Sequence, residues 1–289
     1  MRRLLYALDA RSKVMLAFVG LVSLFSSLPY YLIIHTGYIE VGAGLGIGLL
    51  MWCPALAALA TCGLFRIEVA SLGLHGGPSR YVCWGYVIPL LYNLPVYATT
   101  WILLPGSFSF SFADRIGPSL GFAGSPRTAG FLLGVPLVAL VGILMSLAYA
   151  LGEEVGWRGF LLPRLVSRFG FTGGCLLCGC IWAVWHYPIW LYSDYHEGSK
   201  DAHALACFTL LVIAFSYMTG WLRLKSNSVW PAAMLHASQN LFTQSIFDQM
   251  TSAKARFVTG ESGCGLMLAV AITAAYFWLR RKSLEPLTA

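Results

Sequence analysis

Residues 129–159 read AGFLLGVPLVALVGILMSLAYALGEEVGWRG, an apolar run that ends on two consecutive glutamates and a short polar tail. The apolar part is long enough to cross a lipid bilayer as a helix. An ionised carboxylate at membrane depth costs roughly 3 kcal/mol even on lenient insertion scales. Glu153 and Glu154 therefore require polar partners elsewhere in the chain. The stretch predicts a membrane helix that contributes carboxylates to a buried polar site.

The remainder of the chain has the composition of a membrane protein. Of its 289 residues, 58% are hydrophobic and 11% are charged, whereas soluble domains contain roughly 25% charged residues. Eight apolar runs are long enough to cross a bilayer, near 14–36, 42–64, 81–104, 129–152, 171–192, 204–222, 229–248 and 262–279. We predict an all-α, polytopic membrane protein with about eight transmembrane helices. It would form a single transmembrane domain over residues 1–289, with a motif-bearing core at about 129–248.

The net charge of +7 does not indicate nucleic-acid binding, because the basic residues divide unevenly between the two sides of the predicted bundle. One side carries 14 of the 19 lysines and arginines, namely Arg2, Arg3, Arg11, Lys13, Arg66, Arg80, Arg158, Arg164, Arg168, Arg223, Lys225, Arg280, Arg281 and Lys282. The other side carries Arg115, Arg127, Lys200, Lys254 and Arg256. The positive-inside rule places the richer side, with both termini, in the cytoplasm. We expect a multi-pass protein of the bacterial cytoplasmic membrane, with the lipid bilayer as a partner and no nucleic acid, and with 105–128 and 193–203 on the opposite side.

The two glutamates are predicted to have different roles. Consecutive residues of a helix point about 100° apart, so the two carboxylates cannot face one cavity equally. Arg158 follows Glu154 by four residues, in the order that favours an ion pair on a helix. This pairing leaves Glu153 free to act as a general base. The alternative is a helix end at the cytoplasmic interface that carries ordinary charges.

Two further apolar runs carry histidine. His186 lies within WAVWHYPIW, and His236 lies within a run where it shares a helix face with Asn240, four residues later. Each also has a structural alternative. His186 could be a hydrogen-bonded interior histidine, and His236 with Asn240 could be a polar pair that joins two helices. Together with Glu153 they supply a base, two imidazoles able to hold a water or a metal, and an amide able to donate to an oxyanion. The combination favours a buried hydrolytic site.

The motifs Glu153-Glu154-x-x-x-Arg158, Trp182-x-x-x-His186 and His236-x-x-x-Asn240 resemble those of the CPBP family. These are the CAAX-protease and bacteriocin-processing intramembrane proteases, also called the Abi family. The residues that flank the three motifs are also similar to those of the family. They are Gly156-Trp157-Arg158-Gly159, Trp185-His186-Tyr187-Pro188 and Trp230-Pro231-Ala232. One departure is Trp182, where the family commonly has phenylalanine.

The resemblance implies an eight-helix bundle whose site opens towards the cytoplasm. It implies that Glu153 activates a water, that His186, His236 and Asn240 hold this water or a metal and stabilise the oxyanion, and that Glu154 and Arg158 support them. The family has been interpreted both as metalloproteases and as glutamate-dependent endopeptidases. We favour Zn²⁺ held by His186 and His236, although a Glu153 that serves as the base is not simply counted as a ligand.

The resemblance further implies a peptide or membrane-protein substrate, which a lipid anchor could tether to the membrane. Two alternatives remain from other classes. A transporter or channel would use the same buried polar residues for ion passage, although no internal repeat supports it. A non-catalytic adaptor or bacteriocin-immunity protein could use the same scaffold, although it would have no need of an intact set of four site residues.

The position of His186 imposes a condition on the helix that carries Glu153. If the fifth helix entered the bilayer at residue 171, His186 would lie about 22 Å along it, at 1.5 Å per residue. A fourth helix that ended near residue 152 would leave Glu153 at the membrane edge, too far from His186 for the two side chains to meet. We therefore predict that the fourth helix continues past Glu153 through Leu162, and that 170–174 lies outside the hydrocarbon.

Overall fold

The computed structural model describes residues 10–119, 127–196 and 201–287, and within them it contains helices and no strand. An isolated bridge joins Phe108 to Thr251. The α-helices are α1 (Ala10–Thr36), α2 (Leu45–Phe65), α3 (Ser79–Leu103), α4 (Ser111–Ser119), α5 (Arg127–Leu137), α6 (Ile143–Glu154), α7 (Leu162–Tyr192), α8 (Ala202–Ser226), α9 (Trp230–Asn240) and α10 (Cys264–Leu279). The predicted all-α fold class is confirmed.

Each of the eight predicted apolar runs lies in a helix. Five helical segments of the described chain are long and apolar enough to cross a membrane, and one of them, Arg127–Tyr192, has 66 residues and includes two of the predicted runs. The chain is thus an integral membrane protein. Helices α3 and α9 fall outside these five, and polar groups on them bond to each other. The Tyr92 hydroxyl donates to Oε1 of Gln239 at 2.6 Å, and Asn93 Nδ2 donates to the same atom at 3.2 Å.

The helix that carries the glutamates is continuous well beyond them, as predicted. A π-helical turn at Val155–Leu161 connects α6 to α7, so that the chain stays helical through Leu162. The helix breaks only at Gly170, whose φ of 68° and ψ of 175° are backbone angles that a side chain would strain. The part of α7 after Gly170 runs back through the bundle. Glu153 is consequently in the interior and not at a helix end.

Two more π-helical turns flank the same region, at Val138–Gly142 before α6 and at Leu241–Phe247 after α9. Such turns are rare and occur frequently at functional sites, because the extra residue per turn re-aims the side chains next to it. Close packing of backbones also fixes α6 in place. A Cβ at Gly152 would lie 2.6 Å from the Met51 carbonyl oxygen, so only glycine lets α6 approach α2 this closely.

One end of the bundle, which we call the chain-terminal end, contains the first and the last described residues. There Lys225 Nζ donates to the Ser283 carbonyl at 2.7 Å, and Arg223 Nη2 donates to the Ser71 carbonyl at 3.2 Å. These bonds connect the end of α8 to the segment after α10 and to the turn between α2 and α3. Arg2 and Arg3, which enter the predicted charge count at this end, lie outside the described residues.

The opposite end, which we call the distal end, is built from the loops after α1, α7 and the Leu241–Phe247 turn. The Asp194 amide donates to the Gly37 carbonyl at 3.0 Å, and its carboxylate accepts from the Ile39 amide at 2.8 Å. The Tyr195 hydroxyl donates to Glu261 at 3.1 Å. The three loops therefore form one connected rim. Lys200 belongs to this end in the charge count and lies outside the described residues.

Candidate active site

The carboxylate of Glu153 lies in the bundle interior, with 1% of the residue exposed. Two indoles hold one of its oxygens: Oε2 accepts from Trp182 Nε1 at 2.5 Å and, more weakly, from Trp157 Nε1 at 3.4 Å. Oε1 has no hydrogen-bond partner within the described part of the chain. The indoles thus fix the carboxylate by one oxygen and leave the other oxygen for a reacting group.

Glu154 and Arg158 form the predicted ion pair. Arg158 Nη1 lies 2.8 Å from Oε1 of Glu154, with both side chains fully buried. Arg158 also donates through Nη2 to Ser216 Oγ at 3.2 Å, and its guanidinium carbon lies 4.1 Å from the centroid of the Trp182 ring. A buried carboxylate and guanidinium with these contacts are held rigidly, which suits a supporting role.

The two histidines face Glu153 through equivalent atoms. His186 Nδ1 lies 3.0 Å from the Trp182 carbonyl, and His236 Nδ1 lies 3.0 Å from Oε1 of Glu154. Because a carbonyl and an ion-paired carboxylate accept, each Nδ1 carries hydrogen and donates. Each Nε2 then faces Glu153, at 3.9 Å from Oε2 for His186 and from Oε1 for His236.

The four candidate residues line one cavity. Its volume is about 1030 Å³, and Glu153, His186, His236 and Asn240 all contribute to its wall. Asn240 is partly exposed, and its side-chain amide makes no hydrogen bond to the described residues. The helical spacing of four residues places Asn240 beside His236, as predicted. The structure therefore brings together all six site residues that the sequence singled out.

The donor atoms fit a metal ion in part. Histidines that bind metals usually donate their second ring N–H to a carboxylate or a backbone carbonyl, and His236 and His186 do so. Within the described ranges, however, no group of three or more His, Cys, Asp or Glu side chains has the arrangement of a metal site. A metal here would have two imidazole ligands. Oε2 of Glu153 already accepts hydrogen bonds from the indoles of Trp182 and Trp157.

The cavity opens at the distal end of the bundle. Its exposed lining residues are Thr36, Tyr38, Glu40, Met145, Asp194, Ser245 and Arg256. Among the residues that the structure describes, none of those lining the cavity belongs to the chain-terminal end. The expectation that both termini are cytoplasmic and the expectation that the site opens towards the cytoplasm therefore conflict, because the cavity mouth lies on the opposite side from the first and the last described residues.

The fold and the site define a membrane-embedded protein in which a buried Glu–His–His cluster and a partly exposed asparagine line one cavity. Comparison with known proteins then gives a family match over part of the chain: residues 135–242 match the model of the type II CAAX prenyl endopeptidase Rce1-like family. The chain is also similar to CAAX prenyl protease 2 of Methanococcus maripaludis, with 26% identity over 159 residues, which cover 52% of this chain and 56% of the relative. The alignment thus spans little more than half the length of that curated relative. Both findings support the CPBP/CAAX protease family, and the resemblance inferred from the motifs is confirmed.

Three contacts were not predicted from the sequence. The spacing of Trp182 and His186 indicated a shared helix face, but not that the Trp182 indole bonds to Glu153. The pairing of Glu154 with His236 joins residues 82 positions apart, and Ser216 comes from a helix that carries none of the motifs. A polar residue within an apolar run was the one available signal for Ser216.

Proposed function

We propose that the protein is an intramembrane endopeptidase that hydrolyses a peptide bond of a membrane-associated or lipidated protein or peptide. The observation that carries this proposal is the position of the two Nε2 atoms, each 3.9 Å from a different oxygen of the Glu153 carboxylate. A water about 2.8 Å from each of two acceptors, an ordinary hydrogen-bond length, can bridge a gap of this size. The resemblance to CAAX prenyl endopeptidases supports the choice of a peptide substrate.

In the proposed reaction, the water donates one hydrogen to Oε1 of Glu153, which accepts it as a proton, and donates the second to Nε2 of His236 or of His186, which orients the water. The water oxygen forms a bond to the carbonyl carbon of the scissile peptide. The resulting oxyanion accepts a hydrogen bond from the Asn240 amide, which is free to donate. Glu153 then returns the proton to the peptide nitrogen, and the carbon–nitrogen bond breaks. Water is consumed, and a new carboxylate and a new amine are released.

The remaining site residues position this machinery. Arg158 holds Glu154, and Glu154 in turn fixes the tautomer of His236, so that Nε2 faces the water. Trp182 and Trp157 restrain Oε2 of Glu153. When bound, a zinc ion held by His186 and His236 would supply a Lewis acid that polarises the water or the peptide carbonyl.

The blind shape of the cavity favours a peptidase over a transporter. Within the described chain its floor is the polar cluster, and no described lining residue extends it to the chain-terminal end. A transport path needs access from both sides at some stage of its cycle. The cavity therefore suits a pocket that admits a chain segment and releases products through the same opening.

The test is a quantitative comparison of peptides and membrane-protein termini in cells that carry the wild type or Glu153→Gln. We expect at least one protein terminus or peptide to be shortened only with the wild type. A synthetic peptide pair that spans the cleavage site, with and without its lipid, then measures the contribution of the anchor in proteoliposomes. Identical peptide and terminus profiles in the two strains, with equal amounts of both proteins in the membrane, would contradict the proposal.

A further inference from the structure

A second cavity lies at the chain-terminal end of the bundle, and we call it the arginine cleft. Its volume is about 450 Å³, many times the roughly 30 Å³ that a water molecule occupies in the liquid. It lies between the start of α1, the turn after α2 and the start of α7, and its lining includes Val14, Met15, Ile67, Pro163, Arg164 and Arg168. None of the described residues that line the cleft also lines the cavity that contains Glu153. The arginine cleft is therefore separate from the candidate active site.

Arg164 and Arg168 place two positive charges in the cleft, one helical turn apart on α7. Residues four positions apart share a helix face, and like charges in this relation repel each other. Within the described chain neither guanidinium forms an ion pair with a carboxylate, and Glu68, exposed after α2, does not line the cleft. Arg164 donates to the Phe160 carbonyl at 2.6 Å, and Arg168 donates to Ser12 Oγ. Most of the five N–H groups of each guanidinium thus have no partner among the described residues.

The protein restrains both guanidinium groups without neutralising them. The guanidinium carbon of Arg164 lies 3.7 Å from the centroid of the Phe160 ring, and Phe160 is fully buried. Ser12, which accepts from Arg168, is buried as well and belongs to α1. Side chains that are already restrained lose less conformational freedom when a ligand binds. The pair is therefore suited to recognise an anion, and a planar guanidinium fits a phosphate group in a bidentate manner.

The remaining wall of the cleft is largely apolar and lies at the border of the membrane-spanning helices. Val14, Met15 and Ile67 are partly buried side chains that pack against the core and line the cleft. The membrane span of α1 begins at Ser12, and that of α2 ends at Phe65. The cleft thus lies where both spans reach the membrane surface. A ligand with both a phosphate and an apolar chain covers the charged and the apolar parts together, whereas a free phosphate would leave the apolar wall uncovered.

We infer that the arginine cleft binds one anionic glycerophospholipid. Its phosphate lies between Arg164 and Arg168, and the start of an acyl chain lies against Val14, Met15 and Ile67. Basic pockets between membrane helices recognise anionic headgroups in this way. The bound lipid connects α1 to the start of α7 and neutralises two charges that the described protein leaves unpaired. The inference does not depend on the proposed function, because the cleft and the cavity share no described lining residue.

The experiment is native mass spectrometry of the full chain released from nanodiscs with equal amounts of phosphatidylglycerol and phosphatidylcholine. Both lipids have a phosphate, but only the first has a net negative charge. We expect the wild type to retain one phosphatidylglycerol in preference to phosphatidylcholine, and Arg164→Gln and Arg168→Gln each to retain about fivefold less. Arg80→Gln is the matched control, because Arg80 is exposed at the start of α3 and does not line the cleft. It should retain the lipid as the wild type does.

A second measurement compares thermal unfolding in detergent with added phosphatidylglycerol, phosphatidylcholine or inorganic phosphate. A ligand that binds the folded state raises the melting temperature. We expect a rise with phosphatidylglycerol for the wild type and Arg80→Gln, a smaller rise for Arg168→Gln, and none with inorganic phosphate. The melting temperature without lipid shows that each variant is folded, and Arg168→Lys, which keeps the charge, should retain most of the lipid.

Three results would overturn the inference. Equal retention of phosphatidylglycerol by the wild type and by folded Arg168→Gln would exclude the cleft as the site. An equal loss in Arg80→Gln would indicate general attraction to a basic surface. An equal rise in melting temperature with inorganic phosphate would make the occupant a free anion and not a lipid.

Discussion

The indole nitrogen of Trp182 lies 2.5 Å from Oε2 of Glu153, a bond between residues 29 positions apart on two different helices. It restrains the carboxylate that the proposed mechanism uses as its base. The same side chain stacks against the Arg158 guanidinium and supplies the backbone carbonyl that orients His186. Its ring also lies edge to face with that of His236, with 5.2 Å between the centroids. Trp182 therefore contacts four of the site residues at once, although it has no acid–base chemistry of its own.

Trp182→Phe removes the indole donor and keeps an aromatic ring. Phenylalanine is also the residue that the resembling family commonly has at this position of the motif. Loss of one hydrogen bond to a charged group is worth about 1.5–3 kcal/mol, so we expect kcat to fall roughly 10- to 100-fold. KM should change little, because the bond positions the base and does not touch substrate. The measurement is a kcat and KM comparison in proteoliposomes.

Trp185→Phe is the matched control, because the Trp185 indole donates to Ser26 at 2.9 Å and has no bond to Glu153. The control should retain wild-type kcat. Trp182→Phe should also have no additional effect on whatever turnover remains in Glu153→Gln, since coupled residues are not additive. Unchanged kcat in Trp182→Phe would mean that the indole does not position the base.

Asn240→Ala tests the oxyanion donor. Removing one such donor typically lowers kcat by about 10²–10³, and the partly exposed side chain of Asn240 has no structural hydrogen bond within the described chain to lose. We therefore expect a large fall in kcat at nearly constant melting temperature. Gln244→Ala removes another amide that lines the same cavity, one helical turn further on, and should remain active. Equal activity of the two variants would exclude Asn240 from the mechanism.

The sequence predicted the positions of the site residues better than their contacts. Helical periodicity placed Glu154 against Arg158 and His236 beside Asn240, because both relations are local and depend only on 3.6 residues per turn. The depth of His186 in its helix even required the fourth helix to continue past Glu153, and it does.

Contacts between helices could not be predicted in the same way. The bond from His236 to Glu154 depends on how α9 packs against α6, and the π-helical turn after Glu154 shifts the register by a residue that no periodic pattern reveals. The cavity mouth is a second example. The resemblance implied a cytoplasmic opening and the charge count implied cytoplasmic termini. Only the packed bundle shows that the mouth and the first and last described residues lie at opposite ends.

Metal analysis tests the proposal that His186 and His236 hold zinc. We expect about one zinc per chain in protein purified without chelators, since both imidazoles present Nε2 and have their Nδ1 atoms occupied. His236→Ala should lose the ion, whereas His75→Ala, which changes an exposed residue far from the site, should keep it. A fully active preparation that contains no metal would leave the glutamate-dependent mechanism.

The last prediction separates the two glutamates. Glu153→Gln is nearly isosteric and removes the general base, which typically costs about 10²–10⁴ in rate. Its amide can still accept from Trp182, so the protein should insert and fold as the wild type does. Glu154→Gln should behave differently, because the carboxylate is not the base but holds both Arg158 and His236.

Breaking a buried ion pair by removing one partner costs about 3–5 kcal/mol, so Glu154→Gln should lower thermal stability far more than Glu153→Gln does. Its turnover should fall less, since the base remains and only the orientation of His236 is loosened. The measurements are turnover and thermal unfolding of both purified variants in one detergent. Equal loss of turnover in two equally stable proteins would mean that both carboxylates take part in the chemistry. Full turnover in Glu153→Gln would remove the peptidase proposal, because no other carboxylate lies between the two Nε2 atoms in the described part of the chain.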